Sequence, residues 1–218
     1  MNELILTSDG SHTIFVPEIN EHYHSIHGAV QESLHIFIKN GLEVSLANPI
    51  SILEVGFGTG LNALLTAINS SVENREVNYT SVEKYPVDAN IINNLNHHQF
   101  AGKKGEEIFF MIHSAPWNSM VSICNNFNLR KIETDFTKEP IQGKYDLIYF
   151  DAFGPDKQPE MWTKEIFNRI STLTNKNGIF VTYSAKGEVK RSLIACGFRV
   201  TLLPGPPGKR QMIRAIKI

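Results

Sequence analysis

One short stretch narrows the possible folds more than any other. Residues Ile50–Val55 form a compact apolar run of the length of a buried strand, and they lead directly into Gly56-Phe57-Gly58-Thr59-Gly60. Leu61-Asn62-Ala63-Leu64-Leu65 then opens a segment that reads as a helix over 61–68. Strand, glycine turn and helix in immediate succession begin a parallel α/β sheet, because a parallel strand has to be reached by a crossover connection. Glycines at such a turn keep Cβ atoms out of a ligand's path, and the helix N-terminus favours electron-rich groups.

The chain downstream repeats the alternation. Strands are expected over 79–82, 129–134, Tyr145–Phe150 and 178–183, with helices over 86–95, 161–173 and 188–196 between them, Pro86 standing at the start of its helix. Two further strands, 198–203 and 212–218, follow each other across a Pro/Gly loop, which requires one antiparallel edge member. The pattern predicts a seven-stranded, mostly parallel sheet covered on both faces, with right-handed crossovers. Residues 101–126 give no clear period and read as an irregular insertion. Before the sheet, Asp9-Gly10 marks a hairpin within 4–17, and Val30, Leu34, Phe37 and Ile38 mark a helix near 29–40 that Gly41 is placed to stop. The 218 residues therefore divide into an extension, 1–48, and a main α/β domain, 49–218.

Composition removes several classes of function. No apolar run approaches the ~18 residues of a membrane span, and the first residues lack the basic and apolar regions of a secretory signal. Cys124 and Cys196 stand alone, which suits a reducing cytoplasm and offers neither a disulfide framework nor a cysteine zinc site. His22, His24 and His27 have no cysteine partner and poor spacing for zinc, so no metal is expected. No phosphate-binding G-x-x-x-x-G-K-[ST] motif occurs, and Ser184 lacks a nucleophile-elbow context. Net charge is −1, yet residues 182–218 hold eight basic side chains against Glu188 alone. They either present a basic face to an acidic partner or form an ordinary solvated surface.

The glycine motif discriminates between cofactors. A dinucleotide fingerprint needs G-x-G-x-x-G, whereas here the spacing is G-x-G-x-G, and the third position of the dinucleotide pattern is Leu61. Glu54 precedes the first glycine by two positions. A carboxylate there suits the cationic end of S-adenosyl-L-methionine and sits badly beside a pyrophosphate. Glu83 closes the second strand and can accept from ribose hydroxyls; Asp135 follows the third and can accept from an adenine amino group. Each acid alone could be a surface solvator. In Tyr145-Asp146-Leu147-Ile148-Tyr149-Phe150-Asp151, the final residue stands just past the carboxyl end of the central strand, where ligands of open α/β sheets bind. Asp151 could serve chemistry, bind cofactor, or merely cap the turn.

A wider set of motifs carries a resemblance. Asp9-Gly10-Ser11-His12-Thr13, Glu21-His22-Tyr23-His24-Ser25, Gly28-Ala29, Gln31-Glu32-Ser33 and Phe37-Ile38-Lys39-Asn40-Gly41-Leu42 open the chain. The segment 54–61, Asp151-Ala152-Phe153-Gly154-Pro155, Pro159-Glu160-Met161-Trp162 and Gly208-Lys209-Arg210-Gln211-Met212 follow. Together they resemble the methyltransferase half of the tRNA 5-methylaminomethyl-2-thiouridine biosynthesis enzymes, everywhere except 101–126. The resemblance implies a Rossmann-like class I S-adenosyl-L-methionine-dependent methyltransferase whose final strand is antiparallel. It further implies a stand-alone enzyme without the FAD-dependent oxidoreductase domain, methylating the 5-aminomethyl group of the wobble uridine in a tRNA anticodon stem-loop.

On that reading Asp151 accepts a hydrogen bond from the acceptor amine and takes or relays its proton. Glu54, Gly56, Phe57, Gly58, Gly60, Leu61, Asn62, Glu83, Asp135 and Asp151 bind the cofactor. His24, Glu32 and Phe153 border the acceptor, and Lys186, Lys190, Arg191, Lys209 and Arg210 contact phosphates. Competing readings are a small-amine methyl or aminopropyl transferase on the same sheet, and a non-catalytic RNA-binding module that keeps the fold.

Overall fold

The computed structural model describes residues 2–218. The chain opens with β1 (Glu3–Leu6), β2 (His12–Val16) and β3 (Glu21–His22), a small antiparallel sheet in which β2 is central. The expected hairpin is there, with a third strand added. Helix α1 (Ala29–Ser33) continues as a π-helical segment, Leu34–Lys39. Gly41 follows at φ −113°, so it does not end the helix through the left-handed conformation that a glycine stop implies.

The main sheet has eight strands, not seven. In chain order they are β4 (Ile50–Val55), β5 (Val77–Glu83), β6 (Met120–Cys124), β7 (Phe127–Glu133), β8 (Tyr145–Phe150), β9 (Thr174–Thr182), β10 (Phe198–Pro204) and β11 (Gln211–Lys217). Across the sheet the order is β10-β11-β9-β8-β4-β5-β7-β6. The five strands from β9 to β7 run parallel, while β6 is antiparallel to β7. The final strand is antiparallel as expected, but it is no edge: β11 pairs with β9 on one side and β10 on the other. Its burial explains the placement, since Met212, Ile213 and Ala215 are fully buried and need cover on both faces.

The helices are α2 (Leu61–Glu73), α3 (Ala89–Ile92), α4 (Gly105–Ser114), α5 (Lys164–Leu173) and α6 (Gly187–Ala195). Region 101–126 is therefore ordered, as α4 and then β6. Gly105, Ile108, Phe109 and Ile112 are buried at i, i+3, i+4 and i+7, but the exposed Phe110 and Met111 blur that period in the sequence. Helix α3 is shorter than expected because Asp88 caps it through the Asn90 N–H, leaving Pro86 outside.

Two apolar cores flank the sheet. One joins α2 and α4 to Ile14, Ala29, Val30, Ile36 and Phe37, so the N-terminal extension shares the interior of the main sheet. The other packs α5 and α6 against Phe150, Phe180 and Phe198.

Candidate active site

The carboxyl ends of β4, β5, β7, β8 and β9 meet along one margin of the sheet, beneath a crevice of about 930 Å³. Its floor is the turn after β4. The Gly56 N–H donates to Val82 O (2.9 Å) and the Asp151 N–H to Val55 O (2.9 Å), which draws the turns after β4 and β8 together. Gly56 sits at φ +97°, and a Cβ there would lie 2.6 Å from the Asp151 carbonyl oxygen, so only glycine fits. Phe57 and Gly58 complete the floor.

At one end of the crevice stand Glu83, Lys84, Tyr85, Asp135 and Phe136. Glu83 Oε2 accepts from the Gly58 N–H (3.0 Å), and Oε1 from those of Lys84 (2.9 Å) and Tyr85 (2.8 Å). A carboxylate offers about four acceptor sites, so capacity remains for one hydroxyl donor. Burial raises the Glu83 pKa, against those backbone N–H groups. Asp135 accepts from the Thr137 hydroxyl (2.6 Å) and pairs with Lys84 (3.0 Å), and these hold its pKa down at about 2.

At the other end Asp151 meets Phe153, Tyr23, Tyr183, Glu32, His24 and Lys209. Asn62 Nδ2 donates to Asp151 Oδ2 (2.9 Å) and orients the carboxyl. Burial, with the negative charge of Glu32 adding to it, lifts the Asp151 pKa to about 7. The loop behind it is pinned at two carbonyls: the Tyr183 hydroxyl donates to Ala152 O (2.8 Å) and Trp162 Nε1 to Phe153 O (2.7 Å). Tyr23 packs edge-on to Phe153, ring centroids 5.1 Å apart. His24 Nε2 bonds the Thr59 hydroxyl (2.8 Å), tying the extension to the glycine turn, and burial lowers its pKa to about 4.

Lys209 enters from the loop between β10 and β11. Its ammonium is ion-paired with Glu32 and lies 4.7 Å from the Tyr183 ring centroid. Gly208 just before it has φ +83°, and a Cβ there would overlap the His27 ring. Glu32 is 6% exposed, and its other oxygen accepts from the Ser25 N–H (2.8 Å).

Most residues singled out from the sequence thus surround one cavity: Gly56, Phe57, Gly58, Glu83, Asp135, Asp151, His24, Glu32, Phe153 and Lys209. Glu54, Gly60, Leu61 and Asn62 do not line it; they lie behind the turn. Glu54 is wholly buried, accepts from the Ser81 hydroxyl (2.6 Å), and keeps Oε1 unpartnered among the described residues. Burial pushes its pKa up to about 8.

One expectation about the basic tail changes. Lys209 points into the crevice rather than outward to phosphates, because Glu32 draws it in. Lys186 is ion-paired with Asp156 outside the cavity, and Arg210 is exposed away from it. Tyr23, Lys84, Tyr85 and Tyr183 were not singled out. Tyr183 had a signal, as an aromatic at the end of a parallel strand, whereas Tyr23 stood within the Glu21-His22-Tyr23-His24-Ser25 motif with no role of its own assigned.

Comparisons with known proteins agree with this geometry. Residues 114–218 match the model of a family described as S-adenosyl-L-methionine-dependent methyltransferase. The tRNA 5-methylaminomethyl-2-thiouridine biosynthesis bifunctional protein MnmC of Cupriavidus metallidurans is 30% identical over 226 residues, covering 96% of this chain and 33% of that protein. The protein of the same name from Campylobacter hominis is 31% identical over 170 residues, covering 77% of this chain and 26% of its own length. The chain spans about a third of the length of these curated relatives, or less. The crystal structure of MnmC2 from Aquifex aeolicus superposes with a TM-score of 0.79 at 27% identity, covering 99% of this chain and 70% of that one. Spermidine synthase from Thermotoga maritima shares the fold alone, with a TM-score of 0.55 at 13% identity, over 100% of this chain and 71% of that one.

The fold is that of S-adenosyl-L-methionine-dependent methyltransferases, and S-adenosyl-L-methionine is the cofactor. The residues present fit it. The Gly56-Phe57-Gly58 turn puts bare backbone on the floor of the crevice, and the strand-end carboxylates Glu83 and Asp135 line the same cavity as acceptors for hydroxyl and amino groups.

Proposed function

We propose, from the premise that this chain is an MnmC-like, S-adenosyl-L-methionine-dependent methyltransferase domain, that it methylates the 5-aminomethyl nitrogen of a uridine or 2-thiouridine at the tRNA wobble position. The observation that carries the reading is Asp151. It is a half-buried carboxyl on the crevice wall with its pKa lifted to about 7, standing beside Phe153 and Tyr183 where the strand ends converge.

The backbone from Gly56 to Gly58 would lie beneath the cofactor, Glu83 would take a ribose hydroxyl, and Lys84, Asp135 and Phe136 would border its adenine. The bound cofactor supplies an electrophilic methyl group on a sulfonium. The chain must then deliver a nitrogen with a free lone pair. An alkylammonium has a pKa of about 10, so most of the acceptor arrives protonated. An ordinary aspartate is too weak a base to compete, whereas a buried one near 7 gives up far less driving force. Asp151, oriented by Asn62, accepts the ammonium proton and holds the neutral nitrogen by a hydrogen bond. Phe153 and Tyr23 form an apolar wall suited to a base splayed from a single-stranded loop. Holding acceptor and donor in near-attack geometry supplies roughly 7–11 kcal/mol of the barrier reduction. Arg191 and Arg210, both exposed, and the half-buried Lys190 and Lys186, the last shared with Asp156, would meet the anticodon stem-loop in a cytoplasmic enzyme.

The test is nucleoside mass spectrometry of tRNA incubated with the chain and a methyl-labelled donor. The label is expected on a 5-methylaminomethyl uridine. Asp151→Asn should cut single-turnover methylation by at least about 100-fold while leaving donor binding intact in calorimetry. In the native chain the rate should rise with pH through about 7, as Asp151 loses its proton. Unchanged turnover in the variant would remove Asp151 from the chemistry, and label on any other base would remove the substrate.

A further inference from the structure

The acceptor end of the crevice already holds a primary ammonium. Lys209 Nζ rests on the Glu32 carboxylate and beneath the face of Tyr183, in the cavity that Asp151 and Phe153 line. A carboxylate and an aromatic face are the two groups that recognise an alkylammonium. We infer that Glu32 and Tyr183 form the seat of the acceptor's ammonium group, that Lys209 occupies it as an internal stand-in, and that an acceptor enters by exchanging places with Lys209.

Three features support an exchange over a fixed salt bridge. Glu32 is 6% exposed and anchored by the Ser25 N–H, so the receptor is rigid, while the Lys209 side chain keeps 30% of its surface open to the crevice. Lys209 follows a left-handed glycine in the loop between β10 and β11 and belongs to neither strand, its own N–H donating to Pro206 O (2.9 Å), so a change of its side-chain rotamer leaves the sheet pairing intact. The loop's base is held elsewhere, through His35 Nε2 and Pro204 O (2.9 Å).

The energetics then select the substrate class. A buried carboxylate stripped of its partner is strongly unfavourable, so Lys209 leaves Glu32 only for another cation. An amine qualifies; a uridine bearing a hydroxymethyl or an uncharged group does not. Asp151 feels both charges, Glu32 raising its pKa and Lys209 lowering it, so the seat lies within electrostatic reach of the proposed base. This inference rests on the methyl-acceptor reading of the crevice and adds a specificity device to it.

The test uses Lys209→Met, which keeps the stem and removes the charge, and Glu32→Gln. With aminomethyl-uridine tRNA, Lys209→Met should lower the acceptor KM about 3- to 10-fold with kcat changed less than about twofold, since an internal competitor is gone. Glu32→Gln should raise KM about tenfold or more. A second arm needs no tRNA: methylammonium chloride should raise the melting temperature of Lys209→Met but not of the native chain or of the double variant Glu32→Gln/Lys209→Met. Where Lys209→Met does not fold alone, methylammonium present during refolding should rescue it. A raised KM in Lys209→Met, or no response of that variant to methylammonium in melting or refolding, overturns the inference. If tRNA is not methylated at all, the substrate reading fails while the methylammonium arm still decides whether the seat exists.

Discussion

Asp151 and Gly56 meet at a point where neither tolerates change, for different reasons. Gly56→Ala would drive a Cβ to 2.6 Å from the Asp151 carbonyl and force a side chain into positive φ. Strain of that kind costs about 1–3 kcal/mol, and relief would require moving the floor of the crevice. Donor affinity is expected to fall at least about tenfold in calorimetry, with a lower urea midpoint; an unchanged affinity would mean that the donor does not lie over this turn. Asp151 is costly as a folded-state group as well as useful. Its pKa is raised from 3.8 to about 7 by burial, and that of Glu54 from 4.5 to about 8. The folded chain therefore holds protons that the unfolded chain releases, and stability declines as pH rises through that interval. Asp151→Asn should melt higher than the native chain at pH 8 and show a shallower decline from pH 6 to 8, even as it loses activity. A lower melting temperature at pH 8 would contradict the burial argument.

At the scale of elements, the face bearing α5 and α6 is knit by aromatic rings. Phe180 of β9 lies within 5.6 Å of Phe150, 6.0 Å of Phe198 and 6.3 Å of Phe167, centroid to centroid, and is fully buried. Phe180→Ala should cost about 3–5 kcal/mol, read as a shift of the urea midpoint at constant slope. A loss below about 1 kcal/mol would show that β9 and its neighbours close over the gap. Strands β4 and β8 were plain in the sequence because central parallel strands are apolar throughout. The eighth strand was not. Met120 and Ser122 of β6 are exposed at an edge, and a break in register between Ser122 and Cys124 removes the alternation that would have marked it. The position of β11 was equally hidden, since local pattern reports direction and burial but not which gap a strand fills. The placement of Glu83, Asp135 and Asp151 at the crevice was legible because each ends or follows a strand, and chain order alone puts strand ends along one margin. Lys209 was misread because its direction depends on Glu32, 177 residues away in the chain.

At the scale of the whole molecule, buried imidazoles cluster where the N-terminal extension meets the glycine turn. His24 reaches Thr59, His113 Nε2 meets Thr59 O (3.2 Å), and His97 is fully buried beside His24 with neither ring nitrogen partnered among the described residues. Burial lowers all three pKa values, those of His24 and His113 to about 4. A depressed pKa means that the unfolded chain binds the proton first, so this contribution is complete above about pH 6.5 and is lost on acidification towards 4. His97→Phe should raise the melting temperature at pH 5 more than at pH 7, and an equal effect at both would show that His97 does not titrate on unfolding. Glu32 comes from the extension and Lys209 from the loop before the last strand, yet they share one ion pair. Anyone building hybrids of related methyltransferases therefore cannot graft one end alone. A donor extension carrying its own acid would confront a loop evolved against another, and selectivity for the acceptor would travel only when both ends are exchanged as a matched set.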